Sequence, residues 1–281
     1  VHFQLMLWST SYAIHMWQVS IGTAGLASGI FIVGALFARI PAGRFIDFAG
    51  RRHMFLAGTA MFFFMVLLYR VAPAIEVFML VRFLHGIAFG ISSTASSTIV
   101  AGLIPLQRMG TGIGYFTLGV TMASAIGPFI ALSLTSSGNF DLGIHICTGL
   151  TLLIFLLAIA VHTPERAIDV QERKEMYKVS FDCFFAKKSL AIACIALMGG
   201  VCYSTVLSYL GEYTRSVGLT GIGSTWFFIC FAATSFFSRP LTGYLLDIRG
   251  GNIVIYPSLL LMAAAMGCIA FARTDLLLLA G

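Results

Sequence analysis

Arg82 is the residue whose chemistry is hardest to reconcile with its neighbours, because it lies inside the apolar run of residues 75–103. A charged side chain at the centre of a membrane-spanning helix costs about 2.5–3.5 kcal/mol on insertion scales. Small or weakly polar residues follow it on the same helix face, at four-residue steps; they are Gly86, Gly90, Thr94 and Thr98. The pattern predicts that Arg82 faces a bundle interior and has a functional role there. Structural pairing with a carbonyl or a carboxylate is the alternative.

His85 lies one helical turn after Arg82. Imidazole is the side chain that titrates near neutral pH, so His85 is a second candidate for coupling. A packed, hydrogen-bonded histidine with no role in coupling is the alternative.

A second pattern occurs twice, at an offset of 200 residues. Arg, Gly, Asp and Gly stand at positions 39, 43, 47 and 50, and the same four types stand at 239, 243, 247 and 250. Both copies lie where an apolar run ends in basic residues. A chance match of this kind is improbable, so we infer two homologous halves.

The elements that must position these residues are membrane-spanning helices. The 281 residues are 59% hydrophobic and 10% charged, whereas soluble domains carry about 25% charged residues. Backbone groups in lipid must be satisfied within each segment, so long apolar runs without period-two alternation predict helices and an all-α polytopic membrane protein. The runs lie near residues 22–40, 53–70, 75–103, 112–134, 143–161, 189–211, 221–239 and 252–272.

Basic residues predict the orientation of these helices. Thirteen of the seventeen Lys and Arg residues fall in the loops at 39–52, 104–111, 162–188 and 239–251. Cytoplasmic loops carry such an excess, so we expect these four to face the cytoplasm. The net charge of +6 does not indicate nucleic-acid binding, because the basic residues form short clusters between apolar runs.

The polar stretch 162–188 divides the chain into two predicted bundles. Residues 1–161 form the first, with helices one to six and a truncated first helix, and residues 162–188 are a cytoplasmic linker. Residues 189–281 begin the second, with helices seven to nine and the start of helix ten. Since the sequence starts at Val1 and its first run is shorter than a bilayer, we expect a fragment that lacks part of the first helix and helices ten to twelve.

The segment from Gly43 to Arg52, Gly-Arg-Phe-Ile-Asp-Phe-Ala-Gly-Arg-Arg, resembles the signature loop between helices two and three of the major facilitator superfamily. The second copy, from Arg239 to Gly250, resembles the equivalent loop between helices eight and nine. The resemblance implies two six-helix bundles that rock about a central cavity. It also implies that the loop is a latch between the halves, formed by Gly43, Asp47, Gly50, Arg51 and Arg52 and by Gly243, Asp247 and Gly250. The second copy has Gly251 and Asn252 in place of arginines, so we expect a weaker latch there.

The run at 112–134 carries small residues at four-residue spacing, Gly119, Ala123 and Gly127, followed by Pro128. Such a face permits close helix packing, and the proline bends the helix. It resembles the fifth-helix motif of drug/proton antiporters, although Ala123 replaces a usual glycine. Likewise, Arg82 and the residues after it resemble the fourth-helix motif, whose arginine is linked to substrate or proton coupling. The resemblance of this run to the fifth-helix antiporter motif implies efflux.

Further residues are candidate contacts of the cavity, with packing or interfacial anchoring as the alternative; they are Gln4, Tyr12, Tyr203, Tyr209 and Glu212. The sequence has no Walker loop, and its histidines show no metal-ligand spacing with acids or cysteines. We therefore expect no cofactor, metal or enzymatic activity. The expected partners are the lipid bilayer, a small-molecule substrate and protons.

The function predicted from sequence is proton-coupled export of small amphipathic or hydrophobic molecules by alternating access. The protein is expected to be a monomer in the plasma or inner membrane. Two alternatives stay open at this point. One is import of a nutrient or metabolite, and the other is a membrane receptor or scaffold that binds a ligand without net transport.

Overall fold

The computed structural model describes residues 2–136, 138, 140–161, 163, 189–219 and 221–280, and every regular element in these ranges is helical. The all-α prediction is confirmed. The elements are α1 (His2–Trp17), α2 (Ile21–Ala49), α3 (Arg51–Leu68), α4 (Ile75–Leu103), a short 3-10 helix (Leu106–Arg108), α5 (Met109–Ser136), α6 (Phe140–Ala160), α7 (Leu190–Ser216), α8 (Gly221–Arg249), α9 (Asn252–Ala270) and α10 (Asp275–Ala280). Among the described residues, α2, α3, α4, α6 and α9 are long and apolar enough to cross a membrane. The predicted linker lies outside the described residues, apart from Thr163.

The chain forms two compact units. The first comprises Val1–Leu103 and Ile126–Phe184, and the second comprises Ile104–Ala125 and Phe185–Gly281. The start of α5 therefore clusters with the helices after the linker. The division into bundles at residues 161 and 188 stays a prediction.

Close approach of α2 and α4 organises the first unit. A Cβ atom at Gly86 would collide with the carbonyl oxygen of Phe31, and one at Gly90 would lie 2.6 Å from the carbonyl oxygen of Ala35. Small residues allow helices in a membrane to pack backbone against backbone. Gly86 and Gly90, the first two residues of the small stripe after Arg82, therefore form a helix-packing surface against α2.

Two helices extend further than the sequence predicts. The loops expected at 39–52 and 239–251 are instead the last turns of α2 and α8, followed by a short turn at Gly50 and at Gly250. These two glycines have φ values of 88° and 79°, a conformation that residues with a Cβ rarely adopt. The repeated Arg, Gly and Asp therefore lie on helices, and only the final glycine of each copy lies in the turn.

The second unit is built around α8, which contacts α7, α9, α10 and the 3-10 helix before α5. Its core contains Leu210 of α7, Phe227 of α8, Leu278 of α10 and Ala272, all buried. Large apolar side chains such as Phe237 and Leu260 remain exposed on α8 and α9, as expected for helix faces in lipid.

Candidate functional site

Asp247 caps the start of α5. The backbone N–H groups of Gly110 and Thr111 donate to its carboxylate over 2.6 and 2.8 Å, and the Thr111 hydroxyl donates over 2.6 Å. The first N–H groups of a helix lack partners within the helix and attract negative charge. Asp247 lies beyond the apolar run that ends at residue 239, and the hydrogen bond from the Thr111 hydroxyl, helped by those from the two amides, holds its pKa below the ordinary value.

Glycines allow the two helices to meet at this point. A Cβ atom at Gly243 would collide with the carbonyl oxygen of Gly110, and one at Gly110 would lie 2.8 Å from Asp247 Oδ1. One turn along α5, a Cβ atom at Gly114 would lie 2.8 Å from the carbonyl oxygen of Arg239. Two glycines of the Gly-rich start of α5, Gly110 and Gly114, are therefore the counterpart of the Arg-Gly-Asp face of α8. We refer to these residues together as the α5–α8 contact.

The first copy of the repeat makes different contacts. Asp47 forms an ion pair with Arg51 over 2.7 Å, between the last turn of α2 and the start of α3. Arg52 Nη2 donates to the carbonyl oxygen of Ile159 over 3.3 Å, near the end of α6, where a positive charge is favoured by the helix dipole. A Cβ atom at Gly43 would meet nothing within 4 Å among the described atoms. The sequence favours the first copy as the stronger latch, yet the close helix contact lies at the second.

Arg82 is fully buried between α2 and α4. Its Nε and Nη2 donate to the carbonyl oxygens of Ala27 and Ser28 over 3.1 and 3.4 Å, and its guanidinium lies 5.0 Å from the centre of the Phe31 ring. Carbonyl oxygens have two lone pairs, so both can accept these bonds and keep their helical ones. The geometry matches the alternative that Arg82 pairs with carbonyls, and its coupling role stays a prediction.

Tyr69 joins His85 and Arg82 in one buried polar cluster. Its hydroxyl lies 2.7 Å from His85 Nδ1 and next to the Arg82 guanidinium, and the exposed fractions of all three side chains are 1% or less. We refer to these three residues as the Tyr69 cluster. Tyr69 was not predicted from the sequence, because a tyrosine at the end of an apolar run is usual for a membrane interface.

A pocket of about 230 Å³ opens in the second unit between α7, α8 and α9. Tyr203 and Phe231 form one wall, with ring centroids 5.3 Å apart and an angle of 28° between the rings. Apolar and sulfur-containing side chains complete the lining, including Phe227, Met262 and Met266. Tyr203, one of the candidate cavity residues, lines this pocket.

The remaining candidates are less informative. Tyr12 packs in the core of the first unit. Gly119 and Ala123 are exposed and Gly127 is buried. The side chains of four further candidates lie outside the described residues; they are Gln4, Pro128, Tyr209 and Glu212. In the described ranges, no group of three or more His, Cys, Asp or Glu side chains is placed to hold a metal ion.

Long apolar helices, a buried arginine and a repeated helix-end motif define the class of polytopic membrane transporters. The sequence model described as Major Facilitator Superfamily matches residues 3–281, and the chain belongs to that family.

Comparisons with individual proteins agree with this assignment. The chain is 25% identical over 266 residues to an uncharacterized MFS-type transporter of Methanocaldococcus jannaschii, a match that covers 91% of this chain and 67% of that protein. It is 21% identical over 211 residues to multidrug resistance protein 2 of Bacillus subtilis, covering 70% of this chain and 51% of that protein. The chain thus spans between about half and two thirds of these relatives.

A solved structure supports the fold. The crystal structure of the major facilitator transporter FucP in the outward conformation superposes with a TM-score of 0.69 at 17% identity, and the match covers 99% of this chain and 79% of that one.

Proposed function

We propose that this chain belongs to a proton-coupled exporter of small amphipathic or hydrophobic molecules that works by alternating access. The proposed substrate class is inferred from the pocket in the second unit, because aromatic rings and methionine side chains form much of its lining. Flat apolar groups stack on such rings, and methionine adapts to ligands of different shape. The single hydroxyl of Tyr203 gives the pocket one polar contact for an amphipathic ligand.

The α5–α8 contact supports alternating access. Three donors converge on the Asp247 carboxylate, and three glycines, Gly110, Gly114 and Gly243, allow the two backbones to approach closely. All of these groups lie at helix ends, so a tilt of either helix breaks the three hydrogen bonds together. A contact with this property stabilises one state of a transporter and has to open in another.

The proposed direction of transport, export, is inferred from the sequence of α5. Its spaced small residues, Gly119, Ala123 and Gly127, resemble the antiporter helix, and multidrug resistance protein 2 is among the relatives of the chain. The sequence contains no ATP-binding loop, and the Tyr69 cluster offers a titratable histidine beside a fixed cation. Both observations favour a proton gradient as the source of energy.

Flux in proteoliposomes tests the proposal. Vesicles holding the protein are loaded with an amphipathic fluorescent dye, and a pH gradient of either sign is imposed. We expect the dye to move in the direction opposite to proton flow, in exchange for protons. Uptake in the same direction as protons would indicate an importer, and dye binding without movement would indicate a receptor or scaffold.

A further inference from the structure

The direction of the hydrogen bond in the Tyr69 cluster depends on the protonation of His85. A hydroxyl has one proton and two lone pairs, whereas a guanidinium offers only donors. Either atom can donate in the 2.7 Å hydrogen bond between Tyr69 and His85; where Nδ1 of a neutral His85 carries no proton, the hydroxyl donates to it and keeps a lone pair for Arg82. In this arrangement His85 is neutral and Nδ1 accepts the hydrogen bond.

Arg82 depends on the same arrangement. Within the described ranges it has no carboxylate at ion-pair distance, and its Nη1 has no hydrogen-bond partner. Its charge is stabilised by two carbonyl oxygens of α2, the face of Phe31 and the neighbouring hydroxyl. An additional positive charge nearby is repelled strongly, because the cluster is shielded from water.

Groups from several elements face His85. Tyr69 and Phe62 face it from α3 and its C-terminal end, and the ring of Phe31 faces it from α2. Arg82 precedes it by one turn on α4, and Cys147 of α6 lies near Tyr69. None of the groups named here is acidic.

Protonation reverses the hydrogen bond. A proton taken up at Nδ1 of His85 turns that nitrogen into a donor, so the Tyr69 hydroxyl has to rotate and its oxygen then faces two cations. The repulsion acts on the guanidinium, which holds the carbonyl oxygens of Ala27 and Ser28 on α2. We propose that Tyr69 is a positioning residue: through its hydroxyl, protonation of His85 weakens the hydrogen bonds that Arg82 donates to α2. This inference rests on the proton coupling proposed above.

The test is the pH profile of dye flux for Tyr69→Phe, which removes one oxygen and keeps the ring. We expect its midpoint to shift by about one pH unit and gradient-driven flux to fall roughly tenfold more than dye–dye exchange, which needs no net proton movement. Tyr213→Phe is the matched control, because it also removes a hydroxyl hydrogen bond, the one to the carbonyl oxygen of Ala270 at 3.0 Å. Its profile is expected to match the wild type.

Three outcomes would overturn the inference. They are an unshifted profile for Tyr69→Phe, an equal shift in Tyr213→Phe, and an equal loss of driven flux and exchange. His85→Asn serves as a second variant if Tyr69→Phe does not fold, since it keeps a polar group near Nδ1 but cannot titrate. It should flatten the profile, and a wild-type profile would overturn the inference. Absence of proton-driven flux in the wild type would instead refute the proposed function.

Discussion

Adding one methyl group to each copy of the repeat should have opposite effects. In Gly243→Ala the new Cβ would lie 2.8 Å from the carbonyl carbon of Gly110 and 3.1 Å from Thr111 Cα, against 3.4–4 Å for ordinary contact. The start of α5 has to retreat by about 0.6 Å, which stretches its hydrogen bonds to Asp247 toward the limit of useful geometry. Overpacking of this kind costs about 1–3 kcal/mol.

Gly43→Ala is the matched control, because Gly43 holds the same place in the first copy and its Cβ would meet nothing within 4 Å. Alanine in a helix interior is about 0.5–1 kcal/mol more favourable than glycine. We therefore expect Gly43→Ala to be neutral or stabilising. Gly243→Ala should lower the equilibrium constant for forming the α5–α8 contact roughly 5- to 150-fold.

Thermal unfolding of the purified chain in detergent, followed by helical circular dichroism, measures both variants. Gly243→Ala should have a lower midpoint than the wild type, and Gly43→Ala should not. Dye flux in proteoliposomes then reports whether the state held by the α5–α8 contact matters for turnover. A Gly243→Ala variant as stable and as active as the wild type, or an equal loss of stability in both alanine variants, would contradict the proposed steric conflict.

Three further predictions concern the contact, the pocket and the topology. Thr111→Val removes one of the three donors to Asp247 and should slow gradient-driven flux several-fold, while Thr111→Ser, which keeps the hydroxyl, should not. Phe231→Ala removes the ring that stacks on Tyr203 and should raise the apparent KM for an apolar dye roughly 3- to 10-fold; an unchanged KM would exclude the pocket as a substrate site. Arg51→Cys, on a background without other cysteines, should react with a membrane-impermeant reagent only in inside-out vesicles, and labelling in intact cells would reverse the predicted orientation.

The helices could be predicted from sequence because lipid imposes a length and a composition on each span. The residues at which the helices end could not be predicted in this way. Hydropathy marks where a segment leaves the hydrocarbon, whereas α2 continues to Ala49. Its 29 residues make a helix of about 43 Å, well beyond the roughly 30 Å of the hydrocarbon core. Gly50 was predicted as part of the repeated motif, and its φ of 88° gives the physical reason for glycine at that position.

The partners of the candidate residues were harder to predict than the residues themselves. Asp247 was identified by its repetition, but Thr111 precedes it by 136 positions and carries no signal of its own. The spaced glycines at 110, 112 and 114 were the available clue, since small residues at a helix start permit a second backbone to approach. Such a pattern indicates that a contact exists without identifying the other helix, which depends on tertiary structure.

Arg82 illustrates how sequence and structure constrain each other. The sequence predicts that a charge at this position needs compensation, and it leaves carboxylate, substrate and carbonyl open as sources. The structure supplies two carbonyl oxygens and an aromatic face, which stabilise a cation without neutralising it. A cation compensated only by dipoles remains sensitive to every other charge that enters its surroundings. The proposed link between His85 and Arg82 requires this sensitivity, because a carboxylate partner would cancel most of the field by which the two groups interact.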